Sequence, residues 1–521
     1  MRRYAILSAL ALICFSCGQN PAVNDAWPQG VKYEIFLLAF ADGNGDGKGD
    51  LRGLTSKLDY VESLGVNGIW LMPIMPSPSY HKYDVSDYKN IHPDYGTLDD
   101  FKAFTAEAHK RGIRVIIDLV LNHTATNHPW FVSAASDENS PYRDYFVWAK
   151  KDSIRDQISK KKVTVDSDNI RQWHEVNGDS TAEHYYGFFS SHMPDLNFDN
   201  QQVRDEMVDV ARFWIHEMNV DGFRFDAARH LYPSDRAYDC HQFWIWYREQ
   251  LVKIKPDIYM VGEVYSTDRN EVSPFAKGLP ALFNFDLGSR VITTLNSGVD
   301  SLQLIANYAE QIDFFKSSNP GFLDAPILTN HDQSRIMSQL DNDPGKARVA
   351  ASILLTLPGT PYVYYGEELG MRGLKPDEFI REPFLWGDEK ITTRWMTPKF
   401  NLLDSVADAK AQGDDKQSLL NHYKRLIAYR NSSKPLTFGK IEPIANLPSN
   451  VIGLKRSFDN EASFDSETVI VFHNITSGTV KLTLPTDLNA FRTIGFATEN
   501  LISLKEHELT LPAYASVILT P

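Results

Sequence analysis

Cysteine is scarce in this chain, with three in 521 residues. Cys14 and Cys17 both fall at the extreme N-terminus, so no disulfide framework can staple the rest, and Cys240 reads as a buried thiol on a helix. Positive charge is in deficit: 53 Lys and Arg face 67 Asp and Glu, a net charge of −14. Nucleic-acid binding draws on basic surface to displace counterions from phosphates, so that class is excluded. No apolar run is long enough to cross a bilayer as a helix, which takes about 20 residues; the run from Ala5 to Phe15 falls short. No segment repeats at the period of a solenoid or propeller.

The short N-terminal run has a purpose of its own. Arg2 and Arg3 precede it and Ser16-Cys17 follows, the layout of an export signal over residues 1–17. It resembles a bacterial lipoprotein signal, with Phe15 an imperfect fit to the expected box before the cysteine. Cys14 would leave with the signal and Cys17 would carry lipid. The expectation is an exported outer-membrane or periplasmic lipoprotein of a bacterium, touching membrane only through its N-terminal lipid anchor; simple secretion is the alternative.

The rest has the composition of a globular protein, 43% apolar and 23% charged. Eight apolar runs read as strands: 32–38, 68–72, 114–119, 222–225, 258–262, 282–286, 325–329 and 361–365. Between them lie helical patterns at Leu51–Leu64, Leu98–Lys110, Gln202–Met218, Phe243–Ile254 and Ser301–Phe315. Strand–helix alternation with eight strands predicts an α/β fold, a (β/α)8 TIM barrel, over 18–123 and 200–431. Residues 124–199 are too long for a helical connection and read as a subdomain inserted after strand three. After a last helix near 416–431, the segments 450–456, 467–473, 479–484 and 513–519 alternate Val, Ile, Leu and Thr between turns. They predict a C-terminal antiparallel β-sandwich over 432–521.

Three acids end short apolar runs: Asp226 in GFRFDAARH, Glu263 in VGEV and Asp332 in LTNHD. A β/α barrel gathers its chemistry at the C-terminal ends of its strands, so these acids can converge. Paired carboxylates are what glycosidic bond cleavage requires, one to attack or stabilise the sugar carbon and one to protonate the leaving oxygen. Arg224 lies two residues before Asp226, on the same strand face, where its charge would hold the Asp ionised. Glu263 must instead keep a proton near neutrality, which calls for an apolar or carboxylate-crowded setting. Separately, DGNGDGKGD (42–50) resembles the start of an EF-hand loop. Asp42, Asn44, Asp46 and Asp50 supply alternating oxygens, Lys48 a carbonyl, and Gly47 the sharp turn; Gly53 stands where an EF-hand has its closing Glu.

Six segments in order, DLVLNH (118–123), MPDLN (193–197), GFRFDAARH (222–230), VGEV (261–264), LTNHD (328–332) and GTPYVYYGEELGM (359–371), resemble those of the α-amylase superfamily, glycoside hydrolase family thirteen. The resemblance implies Asp226 as nucleophile, Glu263 as general acid/base and Asp332 as the acid that orients the sugar hydroxyls. His123 and His331 would hydrogen-bond the glycosyl unit beside the scissile bond and Tyr83 would stack on it, with His81 close by. Arg224, Arg229 and His230 would complete the substrate contacts. It also implies calcium: the 42–50 loop matches a metal loop found after the first strand in related enzymes. A second ion would join the inserted subdomain to the barrel through Asn122, Asp195 and the His230 carbonyl.

The residue types around the cleft bear on specificity. Tyr80 stands where many exo-acting α-glucosidases of the family place an Asp, and MPDLN is similar to the amylase and neopullulanase variant. Arg229 departs from the Lys common in α-amylases, keeping charge but not geometry. The expectation is a monomeric, endo-acting, retaining α-1,4-glucan hydrolase taking starch and maltooligosaccharides. An exo-acting α-glucosidase, a neopullulanase or transglycosylase, and a catalytically dead starch-binding lipoprotein remain as alternatives.

Overall fold

The computed structural model describes residues 26–160, 172–179, 181–402, 405–460 and 465–521. Residues 1–17, read above as an export signal, with Cys14 and Cys17, lie outside the described residues. Among the described residues no helix is long and apolar enough to cross a membrane.

Strands β1 (Lys32–Ile35), β2 (Gly68–Leu71) and β3 (Arg114–Leu119) pair in parallel. Three short strands follow, β4 (Trp148–Ala149), β5 (Trp173–His174) and β6 (His184–Tyr186), which form a small antiparallel sheet of their own. The parallel sheet resumes with β7 (Gly222–Phe225), β8 (Tyr259–Gly262), β9 (Ala281–Asn284), β10 (Leu323–Pro326) and β11 (Tyr362–Tyr364). Its order is β10-β9-β8-β7-β3-β2-β1-β11, and a parallel bridge from Ile327 to Tyr362 joins the two ends into a barrel. All eight runs expected from the sequence are strands, with ends moved by a few residues.

Because successive strand residues face opposite sides, each barrel strand sorts its residues. On β3, Val115, Ile117 and Leu119 join the large core shared with the surrounding helices, while Ile116 packs with Trp70, Tyr259, Val261, Phe283, Ala325 and Tyr362 in the barrel interior. Glu34, Asp118 and Arg224 occupy the interior phase of β1, β3 and β7, and Asp118 sits opposite Arg224 in register. Alternation therefore delivers three buried charged residues to the C-terminal end of the barrel.

The helices hold with three amendments, the simplest being that Ser301–Phe315 is found at Leu304–Ser318. Leu98–Lys110 stands as expected, started by a capping box in which Thr97 and Asp100 satisfy each other's backbone N–H. The pattern over Leu51–Leu64 is two helices, Leu51–Ser56 and Leu58–Leu64, parted at Lys57, whose ψ of 8° leaves the helical region. The expected Phe243–Ile254 helix begins earlier, at Ala237. Cys240 lies on it, buried, with its thiol donating to the Ala228 carbonyl at 3.3 Å.

Beyond the helix Leu419–Ser432 the chain turns antiparallel. Strands β12 (Lys440–Pro443), β13 (Val451–Asn460), β14 (Asp465–Asn474), β15 (Val480–Thr483), β16 (Thr493–Ala497), β17 (Ser503–Lys505), β18 (Glu508–Leu511) and β19 (Ser516–Thr520) build two sheets, β12-β13-β14-β19-β16 and β15-β18-β17. An apolar cluster including Ile470, Phe472, Leu509 and Val517 fills the space within them. The other face of the larger sheet merges with the barrel: Ile452, Leu454, Val471 and Ile518 belong to the same continuous core as the barrel helices. Arg456 of β13 is fully buried there and donates to the carbonyls of Thr356, Leu436 and Gly439.

Candidate active site

Arg224 is the centre of the arrangement. Its Nη1 donates to both oxygens of Asp118 (2.9 and 2.8 Å) and to Asp226 Oδ1 (2.7 Å). Its Nη2 lies 2.7 Å from Glu263 Oε2 but off the N–H axis, so that contact is an ion pair without a hydrogen bond. Arg224 and Asp118 have no exposed side-chain surface, while Asp226 and Glu263 show 12% and 15% to the cleft. The two acids thus stand at either end of one guanidinium, facing the same space.

Their proton affinities follow from burial and crowding. Burial raises Glu263 to about 7, helped by Asp226 and Asp332 and opposed by Arg224. Asp226 departs from expectation: Arg224 does pull it down, but burial together with Asp118 and Asp332 outweighs that pull and leaves it raised, at about 6. Asp332 goes the other way, well below the usual carboxylate range. Burial opposes that shift, but His331 and Arg381 outweigh it.

The backbone also takes part. Ala227, next after Asp226, has φ +48°, a left-handed conformation that non-glycine residues rarely adopt. In that conformation its N–H donates to Glu263 Oε2 at 3.0 Å, so the turn that ends β7 also pins the second acid. Strain of this kind persists where the surroundings over-determine it.

His331 is fully buried. Its Nδ1 lies 2.5 Å from Glu34 Oε1, and its Nε2 lies 2.5 Å from the Tyr83 hydroxyl and 3.2 Å from Asp332 Oδ2. The Tyr83 ring stacks on the His331 ring at 5.5 Å and 12°, and its hydroxyl donates to Asp118 Oδ2. His123, also buried and lowered to about 4 chiefly by burial, sits 3.2 Å from the Tyr83 carbonyl.

These side chains surround a cleft of about 580 Å³. Of the residues expected from the sequence, His81, Tyr83, His123, Asp226, Arg229, His230, Glu263 and Asp332 line it, with Arg224 and His331 buried beneath. Arg229 donates to the Tyr265 carbonyl at 2.9 Å, and His230 stacks on Phe188 at 4.3 Å. Both also line an adjoining cavity of about 290 Å³ with Tyr186, Phe188, Tyr232 and Phe275. Tyr80 is half-buried outside this lining: Trp395 covers one face, stacked at 5.5 Å, and Arg381 Nη1 donates to its hydroxyl at 3.3 Å.

Several participants were not singled out from the sequence. Arg381 donates to Asp332 (2.8 Å), Asp377 (3.2 Å) and the His331 carbonyl (2.9 Å). Phe189 and Tyr265 place rings in the cleft that are 42% and 60% exposed. Asp118 was legible in principle, since it heads DLVLNH and shares a barrel face with Arg224 on the neighbouring strand.

The 42–50 loop lies after β1 and outside the cleft. Asp42 accepts from the backbone N–H of Asn44, Gly45 and Gly47, and Asp50 accepts from those of Gly43 and Gly53. Gly45 and Gly47 have φ +86° and +91°, as so tight a loop requires. Asp42 and Asp50 are buried, and Asp50 is raised by burial, with Asp42 adding to the effect. The Lys48 amine turns away to Asp94 at 2.8 Å. Among the described residues no three His, Cys, Asp or Glu side chains gather as a metal cluster. The donor set still fits a hard cation, because buried acid oxygens alternate with Asn44 and no basic side chain is bonded to them. At the second place, Asn122 Oδ1 is buried without a partner beside Asp195, whose buried carboxyl is raised well above its ordinary value by desolvation. An orphaned oxygen beside an acid bonded to the Phe188 N–H and the Asn122 side chain, with no basic side chain on it among the described residues, also suits a cation.

Known proteins resemble this chain along most of its length. Residues 34–439 match the family model described as "Alpha amylase, catalytic domain", and residues 463–518 the one described as "Alpha-amylase SusG C-terminal domain". The chain is 42% identical over 456 residues to Alpha-amylase 3 of Dictyoglomus thermophilum, covering 87% of this chain and 86% of the relative. It is 32% identical to a 4-alpha-glucanotransferase of Thermotoga maritima, over 85% of this chain and 95% of the relative. The crystal structure of an alpha-amylase from H. orenii superposes with a TM-score of 0.84 at 40% identity, over 94% of this chain and 99% of that one.

Proposed function

The chain belongs to the alpha-amylase family of glycoside hydrolases, as a glucan-hydrolysing or glucan-transferring enzyme, and from that premise we propose that it is an endo-acting, retaining α-1,4-glucan hydrolase. The observation that carries this is the pair Asp226 and Glu263 at the two ends of the Arg224 guanidinium, with the Glu the more readily protonated of the two.

In this mechanism ionised Asp226 attacks the anomeric carbon while Glu263 gives its proton to the departing glycosidic oxygen. A glycosyl–Asp226 ester forms and the C–O bond of the glucan breaks. Glu263, now a carboxylate, takes a proton from water, which attacks the same carbon and frees Asp226. Asp332, held ionised by His331 and Arg381, hydrogen-bonds the ring hydroxyls as charge develops. Calcium, where bound, supplies structural cross-linking. Asp42, Asn44, Asp46, Asp50 and the Lys48 carbonyl would hold one ion, and Asn122, Asp195 and the His230 carbonyl a second.

Endo action is supported by the range of side chains that share the cleft with the acids: the linked polar groups of Asp377 and Arg381, and the rings of Tyr83, Phe189 and Tyr265. No carboxylate occupies position 80 to cap a terminal sugar. Starch viscosity and iodine staining should fall well before glucose accumulates, with maltose and maltotriose prominent. Glucose as the sole early product, with p-nitrophenyl α-glucoside cleaved faster than starch, would replace this reading with the exo-acting one. A second reading, transfer to a sugar acceptor, is favoured by the exposed rings of Phe189 and Tyr265, which offer stacking faces to a sugar in place of water.

The division into a barrel over 18–123 and 200–431, an inserted subdomain over 124–199 and a β-domain over 432–521 is part of this proposal. The separate sheet of β4–β6 and the antiparallel strands from Lys440 support it. So is anchoring through Cys17. Acylation there would hold the protein in the membrane fraction, and Cys17→Ala should release it. Wild type and variant equally free in the medium would favour ordinary secretion.

A further inference from the structure

Glu34 has no part in the chemistry just described, yet it is buried on the interior face of β1 with its Oε1 2.5 Å from His331 Nδ1. A carboxylate only accepts, so Nδ1 carries the proton of that bond. The other ring nitrogen faces Asp332 Oδ2 at 3.2 Å and the Tyr83 hydroxyl at 2.5 Å. An ionised Asp332 only accepts, and the Tyr83 hydroxyl accepts as well when its own proton goes to Asp118 Oδ2, so this arrangement suits Nε2 as a second donor. With both nitrogens donating, the ring is an imidazolium.

We propose that Glu34 is a positioning residue that keeps His331 cationic, so that Nε2–H is always aimed at the Tyr83–Asp332 side of the cleft. The inference rests on the hydrolase reading, because the group it serves is Asp332. The groups around His331 agree with it. Glu34 faces it from β1, the Trp70 ring meets it edge-on from β2, Tyr83 covers it from the loop after β2, and Asp332 follows it in its own loop. Asp118 and Arg224 stand beyond Tyr83, with Asp226 on Arg224, and Arg381 binds both the His331 carbonyl and Asp332. Opposite charges on either side stabilise a buried cation, and Glu34 and Asp332 flank this one. Against burial, those two carboxylates push His331 up to about 9.

Without the Glu34 charge, a neutral imidazole with its proton on Nδ1 becomes the favoured form. Nε2 would then point a lone pair at Asp332, and the Tyr83 proton would be drawn away from Asp118. The test compares Glu34→Gln, which keeps the shape and an acceptor, with Glu34→Asp, which keeps the charge. Two readouts serve: the pH profile of kcat on soluble starch, and the NMR titration of His331 in histidine-labelled protein, assigned by its loss in His331→Gln. Wild-type His331 should stay protonated through pH 8. In Glu34→Gln it should lose its proton at least one unit lower. The kcat of Glu34→Gln relative to wild type should then fall as pH rises from 6 to 8.5, on top of the limbs set by Asp226 and Glu263. Glu34→Asp should lower kcat by a factor that does not change with pH. A wild-type His331 already neutral at pH 7.5 would overturn the proposal, even if Glu34→Gln failed to fold. So would a folded Glu34→Gln with an unmoved titration and a pH-independent kcat ratio. Absence of glucan hydrolysis by the wild type would remove the parent reading, while the His331 titration would still report on Glu34.

Discussion

The molecule holds two groups of buried acids that are handled in opposite ways. Around Arg224, the carboxylates of Asp118, Asp226 and Glu263 share one guanidinium, and each feels the others. In the 42–50 loop, Asp42 and Asp50 are also buried but, among the described residues, are bonded only to backbone N–H groups, with no basic side chain between them. Crowded acids around a fixed cation end up with different proton affinities, which is what a nucleophile and a proton donor require. Acids bonded to backbone N–H and left without a cation remain able to take a hard ion. Shared burial thus serves two purposes, and the counter-charge decides which.

The largest break in that contrast comes from Asp226→Asn. It removes the nucleophile while keeping the side-chain shape, so kcat on starch should fall by at least about 10⁴-fold, as for nucleophile removal elsewhere, with the melting temperature little changed. Retention of more than a few per cent of activity would exclude Asp226 from that role.

Next is the loop. An ion that binds only the folded state stabilises it by about 2.7 kcal/mol at a hundred times its dissociation constant. Chelation should lower the melting temperature of the wild type by several degrees. Asp46→Ala, which removes an exposed oxygen bonded only to Asn44 and Lys48, should start lower and respond less. Identical curves with and without chelator would leave the loop a plain turn.

The smallest effect sharpens the electrostatic side. Activity requires Asp226 ionised and Glu263 protonated. Both are raised, to about 6 and about 7, so activity should fall as pH drops through the first value and again as pH rises through the second. The limbs belong to the pair, since the two acids titrate together. A profile flat from pH 4 to 9 on chemistry-limited substrates would contradict this account.

Much of this was legible in the chain. The eight strands showed because buried parallel strands are near-continuous apolar runs, and the acids showed because each ends one. Less visible were β12, β16 and β17, whose residues are exposed or half-buried and carry little apolar signal. The two-helix break at Lys57 left no Gly or Pro to announce it. Arg381 sits on a connection with no periodicity, so only the folded chain brings it to Asp332. The direction of the Asp226 shift was misjudged for a different reason. Sequence places Arg224 on the same face, but it cannot weigh that cation against near-complete burial and a second Asp from the neighbouring strand.

Arg456 carries a consequence for anyone hoping to trim this enzyme. It reaches from β13 to the Thr356 carbonyl, and the sheet around it shares its apolar contacts with the barrel helices. A cut near residue 440 would leave the carbonyls of Thr356, Leu436 and Gly439 without their donor and bare a hydrophobic flank to solvent. A shortened gene ending there should yield inclusion bodies. Swapping in a foreign β-module would succeed only with a matching arginine and a matching greasy face, making the seam a requirement for any chimaera.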